Sequence, residues 1–138
     1  MAGLLVVSLA LVYMASGCAI LKRGPSDEEM LKDLLGTYVA SLKEGSVEKH
    51  LSIYSKDFEG TRGETYDEMA QGLEEMMPML QDWGMEIFTD ETEMAIEGDT
   101  AEIGPIVFEF SQGGVQITLL TTKEDDGRWL ITGSEMHQ

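Results

Sequence analysis

The hydrophobic pattern of this chain changes period once, near Met85, and that change restricts the fold more than any other feature. Before it, apolar residues recur every three to four positions, the spacing that lines one face of a helix. Ser26 and Glu29 form a capping box, Met30, Leu31, Leu34, Leu35, Tyr38, Val39 and Leu42 share one stripe, and Gly45 is placed to stop the helix. Ser46 then serves as a new N-cap, with Val47, His50, Leu51 and Tyr54 on one face of a shorter helix expected to end near Asp57. An extended piece over residues 58–62 follows. Thr65 and Glu68 make a second capping box ahead of Tyr66, Met69, Ala70, Leu73, Met76, Met77 and Leu80, a third helical face. Pro78 lies inside that pattern and is expected to kink the helix near Met77, because its ring crowds the carbonyl of Glu74.

From Met85 onward the alternation has period two. Residues 93–97 and 100–103 flank Gly98-Asp99, a two-residue hairpin turn. Ile106, Phe108 and Phe110 alternate with Val107 and Glu109, Gln112-Gly113-Gly114 turns the chain into residues 115–122, and residues 123–127 turn it into residues 128–135. The expected class is α+β, three N-terminal helices packed on an antiparallel sheet, in the order α-α-β-α-β-β-β-β.

All ionised side chains lie beyond residue 18, 26 acidic against 9 basic, for a net charge of −17. Binding a polyanion requires Lys and Arg to displace its counterions, so nucleic acid is not an expected partner. The acidic residues are dispersed along the chain, as in a solvated surface.

Cys18 is the only cysteine, so it has no intrachain disulfide partner. It follows an apolar run, residues 4–14, too short to span a bilayer as a helix, and the small residues Ala15, Ser16 and Gly17. The segment resembles a bacterial lipoprotein signal peptide; the alternative is a hydrophobic N-terminal helix with a buried cysteine. The resemblance implies cleavage between Gly17 and Cys18, acylation of Cys18, and a membrane partner through the acyl chains. It divides the chain into a signal peptide over 1–17, a lipidated cysteine and tether over 18–25, and a domain over 26–138, anchored at the bacterial outer membrane facing the periplasm.

Three stretches carry a second resemblance: Tyr38 to Ser46, Leu51 to Phe58, and the Asp126-Gly127-Arg128-Trp129-Leu130-Ile131 run. Their order and spacing resemble the nuclear transport factor 2-like superfamily, also called the SnoaL-like or cystatin-like cone fold. The resemblance implies a cone of curved sheet closed by helices, with a cavity at the wide end. Among its enzymes, ketosteroid isomerase places a catalytic tyrosine where this chain has Tyr38. The carboxylate base and second acid of that enzyme fall here on or near Arg62 and Leu119, neither of which serves. The implied function is therefore non-enzymatic binding of a small apolar or amphipathic ligand, or of an envelope protein, with Tyr38, His50, Tyr54, Met69, Leu73, Phe108 and Glu109 as pocket candidates. Two alternatives stay open: a lyase or isomerase using Tyr38, His50 or Asp57, and an assembly module that dimerises through the open sheet face.

Other chemistries lack their signatures. There is no Gly-x-Ser-x-Gly elbow, phosphate-cradling loop or His-Glu-x-x-His helix, and the two histidines, His50 and His137, are far apart in sequence. Neither a metal nor a cofactor is expected. Glu124-Asp125-Asp126 lacks calcium-loop spacing and reads as a hairpin tip. Met69, Met76, Met77, Met79, Met85 and Met94 fall where the third helix meets the first long strands, either filling gaps or lining an adaptable pocket. On its strand, Glu109 faces opposite to Phe108 and Phe110, toward solvent or cavity.

Overall fold

The computed structural model describes residues 24–137. Helix α1 (Asp27–Glu44) starts at the expected capping box: the Ser26 hydroxyl accepts the Glu29 N–H at 3.2 Å, and the Glu29 carboxylate accepts the Ser26 N–H at 3.4 Å. It ends at Gly45, whose φ of 72° admits the left-handed turn that glycine adopts without a Cβ penalty. Leu31, Leu34, Tyr38 and Leu42 bury its apolar stripe, each such side chain contributing about 1.5–3 kcal/mol. The Ser46 N–H bonds the Ser41 carbonyl at 2.9 Å and the Ser46 side chain caps helix α2 (Val47–Leu51), so α1 and α2 meet in a tight corner.

Helix α2 is shorter than its apolar spacing predicts, and Tyr54, expected on it, is instead the first residue of strand β1 (Tyr54–Glu59). Sheet pairing accounts for the change: the Ile53 carbonyl already accepts the Ile131 N–H at 2.8 Å, drawing the backbone out of helical geometry. Helix α3 (Tyr66–Asp82) opens on the Thr65/Glu68 capping box and continues past Pro78. Pro78 is exposed, and helix α3 persists for a further turn, to Asp82, rather than losing its regularity near Met77.

The sheet contains β1, β2 (Glu86–Phe88), β3 (Glu93–Glu97), β4 (Thr100–Phe110), β5 (Gly113–Lys123) and β6 (Trp129–His137), in the order β1-β6-β5-β4-β2, with β3 also on β4. Two features differ from expectation. β2 adds a strand, and the sheet is mixed rather than antiparallel because β1 runs parallel to β6. Strands β3 and β2 occupy successive stretches of one edge of β4, pairing with residues 100–104 and 107–109 respectively. Between them the Thr92 hydroxyl donates to the Pro105 carbonyl at 2.7 Å.

An irregularity between Ile103 and Ile106 sets the curvature. Ile103 opposes Leu119 and Ile106 opposes Ile117, so β4 carries one more residue than β5 over the same interval. The extra residue bends the strand while keeping Ala101, Ile103, Ile106 and Phe108 all on the buried face. Gly104 is required there, since a Cβ would sit 2.6 Å from the Thr118 hydroxyl oxygen and 3.0 Å from the Thr118 Cα. The helices cover this concave face and the core lies between, with Trp129 and Ile131 of β6 buried alongside. At one end of the domain, the Trp129 indole N–H donates to the Asp27 carboxylate at 3.0 Å, and Lys123 pairs with the same oxygen at 3.0 Å, tying the start of α1 to β5 and β6. These two donors hold Asp27 below the ordinary carboxylate range, Trp129 contributing most.

Candidate functional site

The α1–α2 corner brings His50 against Tyr38 and Ser41 on the buried stripe of α1. The ring of Tyr38 lies 4.9 Å from that of His50, His50 lies 5.2 Å from Tyr54, and Tyr54 lies 5.1 Å from Phe58. Phe108, from β4, meets Tyr38 edge-on at 6.3 Å. Four of the predicted pocket residues, Tyr38, His50, Tyr54 and Phe108, therefore form one aromatic column from β4 across α1 and α2 to β1. Leu73 is buried in the same core and Met69 packs against it half-buried.

Both ring nitrogens of His50 have partners within this group. The Ser41 hydroxyl donates to the Tyr38 carbonyl at 3.0 Å and lies 2.8 Å from His50 Nδ1, while His50 Nε2 is 3.2 Å from the Tyr54 hydroxyl. Serine has one proton to donate. With that proton on the Tyr38 carbonyl, Nδ1 must carry its own hydrogen and donate it to Ser41, leaving Nε2 as the acceptor for the Tyr54 O–H. The pattern selects one tautomer of a neutral imidazole. Burial pushes the His50 pKa down to about 4, the Tyr38 carbonyl acting in the opposite direction. Burial likewise raises both tyrosines: Tyr38 lies above the ordinary range with the Tyr54 hydroxyl countering in part, and Tyr54 lies well above it, with Tyr38 adding to the shift.

The remaining candidates do not join this group. Glu109 is exposed on the far face of β4, so its position between two inward phenylalanines places its carboxylate in solvent and removes it from the pocket set. Asp57 is exposed on β1, and Arg62 is exposed in the turn after it. Leu119, the other isomerase-equivalent position, is fully buried on β5 opposite Ile103. Among the described residues the buried polar side chains are Ser41, His50, Ser55 and Thr121, with no carboxylate. Cys18 and Gly17 lie outside the described residues, and no group of acidic, histidine or cysteine side chains among those described is arranged to hold a metal. No described helix is long and apolar enough to cross a membrane.

An accessible concavity among the described residues lies elsewhere. A cleft of about 310 Å³ is lined by Trp83, at the end of α3, and by Phe110, Ser111, Gln112, Gly113, Gly114 and Val115 of the β4–β5 hairpin. Trp83 and Phe110 meet edge to face at 6.1 Å. Of the methionines, Met77 is buried and Met69, Met85 and Met94 pack on the core, whereas Met76 and Met79 are exposed on α3. Sequence reasoning missed Ser41 and the cleft. Ser41 stands three residues after Tyr38 on the buried stripe, a spacing that signals contact; nothing local joins Trp83 to Phe110.

The chain matches no family model and no curated protein. Solved structures do match. Bd1075 of Bdellovibrio bacteriovorus superposes with a TM-score of 0.63 at 13% identity over 78% of this chain, which spans only 40% of that protein's length. A nuclear transport factor 2-like protein of unknown function from Shewanella oneidensis MR-1 gives 0.62 at 17% identity, covering 82% of this chain and 100% of the other. The fold is the nuclear transport factor 2-like cone. A Shewanella frigidimarina protein named provisionally as a ketosteroid isomerase gives 0.61 at 19% identity, covering 76% of this chain and 92% of its own. Identities this low establish the cone and leave its use to the residues within it.

Proposed function

We propose that this cone is a non-catalytic binding domain for a small amphipathic ligand, carried at the bacterial cell envelope on a lipid attached to Cys18. The observation that supports binding over catalysis is that buried His50 is engaged at both ring nitrogens, by Ser41 and by Tyr54. Both ring nitrogens of His50 are taken up by Ser41 and Tyr54, the Ser41 proton goes to the Tyr38 carbonyl, no carboxylate among the described residues is buried with them, and an open aromatic cleft remains at the hairpin. Proton abstraction from carbon needs a base beside the substrate, a contribution of about 10²–10⁴ in rate. His50 is 3% exposed and engaged through both ring nitrogens, so a substrate does not reach it without breaking the core.

The anchor rests on the apolar run, the small residues and Cys18 in the sequence. Acyl chains stabilise membrane association by about 0.8 kcal/mol per buried methylene, enough with several chains to offset repulsion of the acidic domain. Fractionation and intact mass test it: the wild-type protein is expected in membranes with a lipid mass increment, and Cys18→Ser in the soluble fraction without one. A soluble wild-type protein lacking lipid refutes the anchor. For the domain, enone isomerisation is expected at background. Turnover that disappears in Tyr38→Phe, His50→Ala or Asp57→Asn overturns the binding reading in favour of an enzyme.

A further inference from the structure

We infer that the exposed stripe of helix α3, Met76 and Met79 with Trp83 beyond them, is a site for a soft monovalent metal ion of the Cu(I) or Ag(I) class. The inference goes beyond the binding reading above and does not depend on it. Helix α3 carries four methionines, and packing divides them. Met77 is buried and Met69 packs against the core, whereas Met76 and Met79 are 41% and 43% exposed and do neither. Three residues separate them, so their side chains leave one face of the helix a turn apart, with Cβ atoms about 5–6 Å from each other. Trp83 follows Met79 by four residues on the same face, its N–H still bonded to the Met79 carbonyl at 3.0 Å, and is 45% exposed. With no core contact to make, both sulfurs are free to act as ligands.

The donor atoms select the ion. A thioether is a neutral, polarizable ligand that suits Cu(I), whereas magnesium, calcium and manganese take oxygen donors and zinc takes thiolate or imidazole. The flexible methionine side chain lets two sulfurs one turn apart close on a single ion. An indole face adds attraction for a cation through the negative potential of its ring. Electrostatics act in the same direction. Because both sulfurs are uncharged, the bound ion keeps its positive charge, and α3 carries Asp67, Glu68, Glu74, Glu75 and Asp82 with no Lys, Arg or His. None of these five carboxylates has an ion-pair partner among the described residues. The last turn of α3, which includes Met79, also lacks a basic side chain to offset the partial negative charge of its terminal carbonyls. A divalent ion has no comparable set of donors among the described residues, where no group of acidic, histidine or cysteine side chains is arranged to hold one. Met136, 51% exposed on β6, has no methionine at helical spacing beside it and is the internal comparison.

The test uses the full chain as Cys18→Ser, because a cysteine thiolate would compete for both ions. The probes are silver nitrate, Cu(I) kept reduced with ascorbate, and zinc sulfate. Binding is followed by the methionine methyl resonances and the two indole N–H resonances, told apart with Trp83→Leu; Trp129, buried and bonded to Asp27, reports fold integrity. Ag(I) and Cu(I) are expected to shift the Met76 and Met79 methyls together and saturably, at concentrations about ten-fold below those that move Met136, while zinc moves none of them. Met76→Leu and Met79→Leu, which keep volume and helix propensity, should each weaken binding about ten-fold with Trp129 unmoved, and Trp83→Leu should weaken it several-fold. A response at Met76 and Met79 no stronger than at Met136 overturns the site. Zinc binding as tight as that of Ag(I) overturns the soft-ion class. Unchanged affinity in any of the three variants overturns the part assigned to that side chain.

Discussion

Acidification acts on the core through His50, and the structure supplies the size and sign of the effect. Native His50 titrates at about 4 instead of 6.5, because its ring is buried between Tyr38 and Tyr54. The groups facing it are Ser41, Tyr38 and Tyr54, none of which supplies a counter-charge to an imidazolium in this pH range. Above pH 6.5 the ring is neutral in both folded and unfolded chains, and its contribution to stability is fully present. As pH falls below 6.5 the unfolded chain takes up a proton that the folded chain refuses, so stability drops by about 1.4 kcal/mol per pH unit until the native ring titrates near pH 4. The total loss is about 3 kcal/mol, a large fraction of the 5–15 kcal/mol typical of a domain. The assay is urea denaturation of the wild-type chain and His50→Gln between pH 7.5 and pH 4. Glutamine keeps a donor and an acceptor in the site and does not titrate. The many carboxylates also titrate there, but they are common to both proteins and cancel in the difference. The stability of the variant relative to wild type should therefore rise by about 3 kcal/mol across the range. Parallel curves would refute the buried neutral histidine, as would a native His50 resonance titrating near 6.5.

Phe108→Ala should cost about 3–5 kcal/mol in the same denaturation assay, since the ring fills the core against Tyr38; an unchanged midpoint would mean that the faces of β4 are reversed. Gly104→Ala should destabilise by about 1–3 kcal/mol, because the new Cβ meets the backbone and hydroxyl of Thr118 across the strand pair. Gly36→Ala, on the exposed side of α1 with open space around it, should instead stabilise by about 1 kcal/mol, and thermal melts of the two variants moving the same way would contradict the packing described.

What the sequence determined by itself is the set of features encoded within a few residues of one another. Ser26 with Glu29, and Thr65 with Glu68, mark helix starts because each capping box closes over three residues; Gly45 marks a stop because the local turn needs a left-handed backbone. The alternation from Ile106 to Phe110 named the inward face of β4 for the same reason, strand side chains having a period of two. Tertiary structure decided whatever depends on partners distant in the chain. Tyr54 has the spacing of a helical residue, yet pairing with Ile131 at the far end of the sequence makes it a strand residue and renders the sheet mixed. Glu109 faces opposite to Phe108 on any strand, but only the helices, by covering the other face, assign its side to solvent. The Ser41–His50 bond needs the α1–α2 corner, and the Trp83–Phe110 cleft needs the end of α3 to land beside a hairpin more than twenty-five residues later. Local hydrogen bonds and hydrophobic period are properties of short segments; a site is a property of their packing.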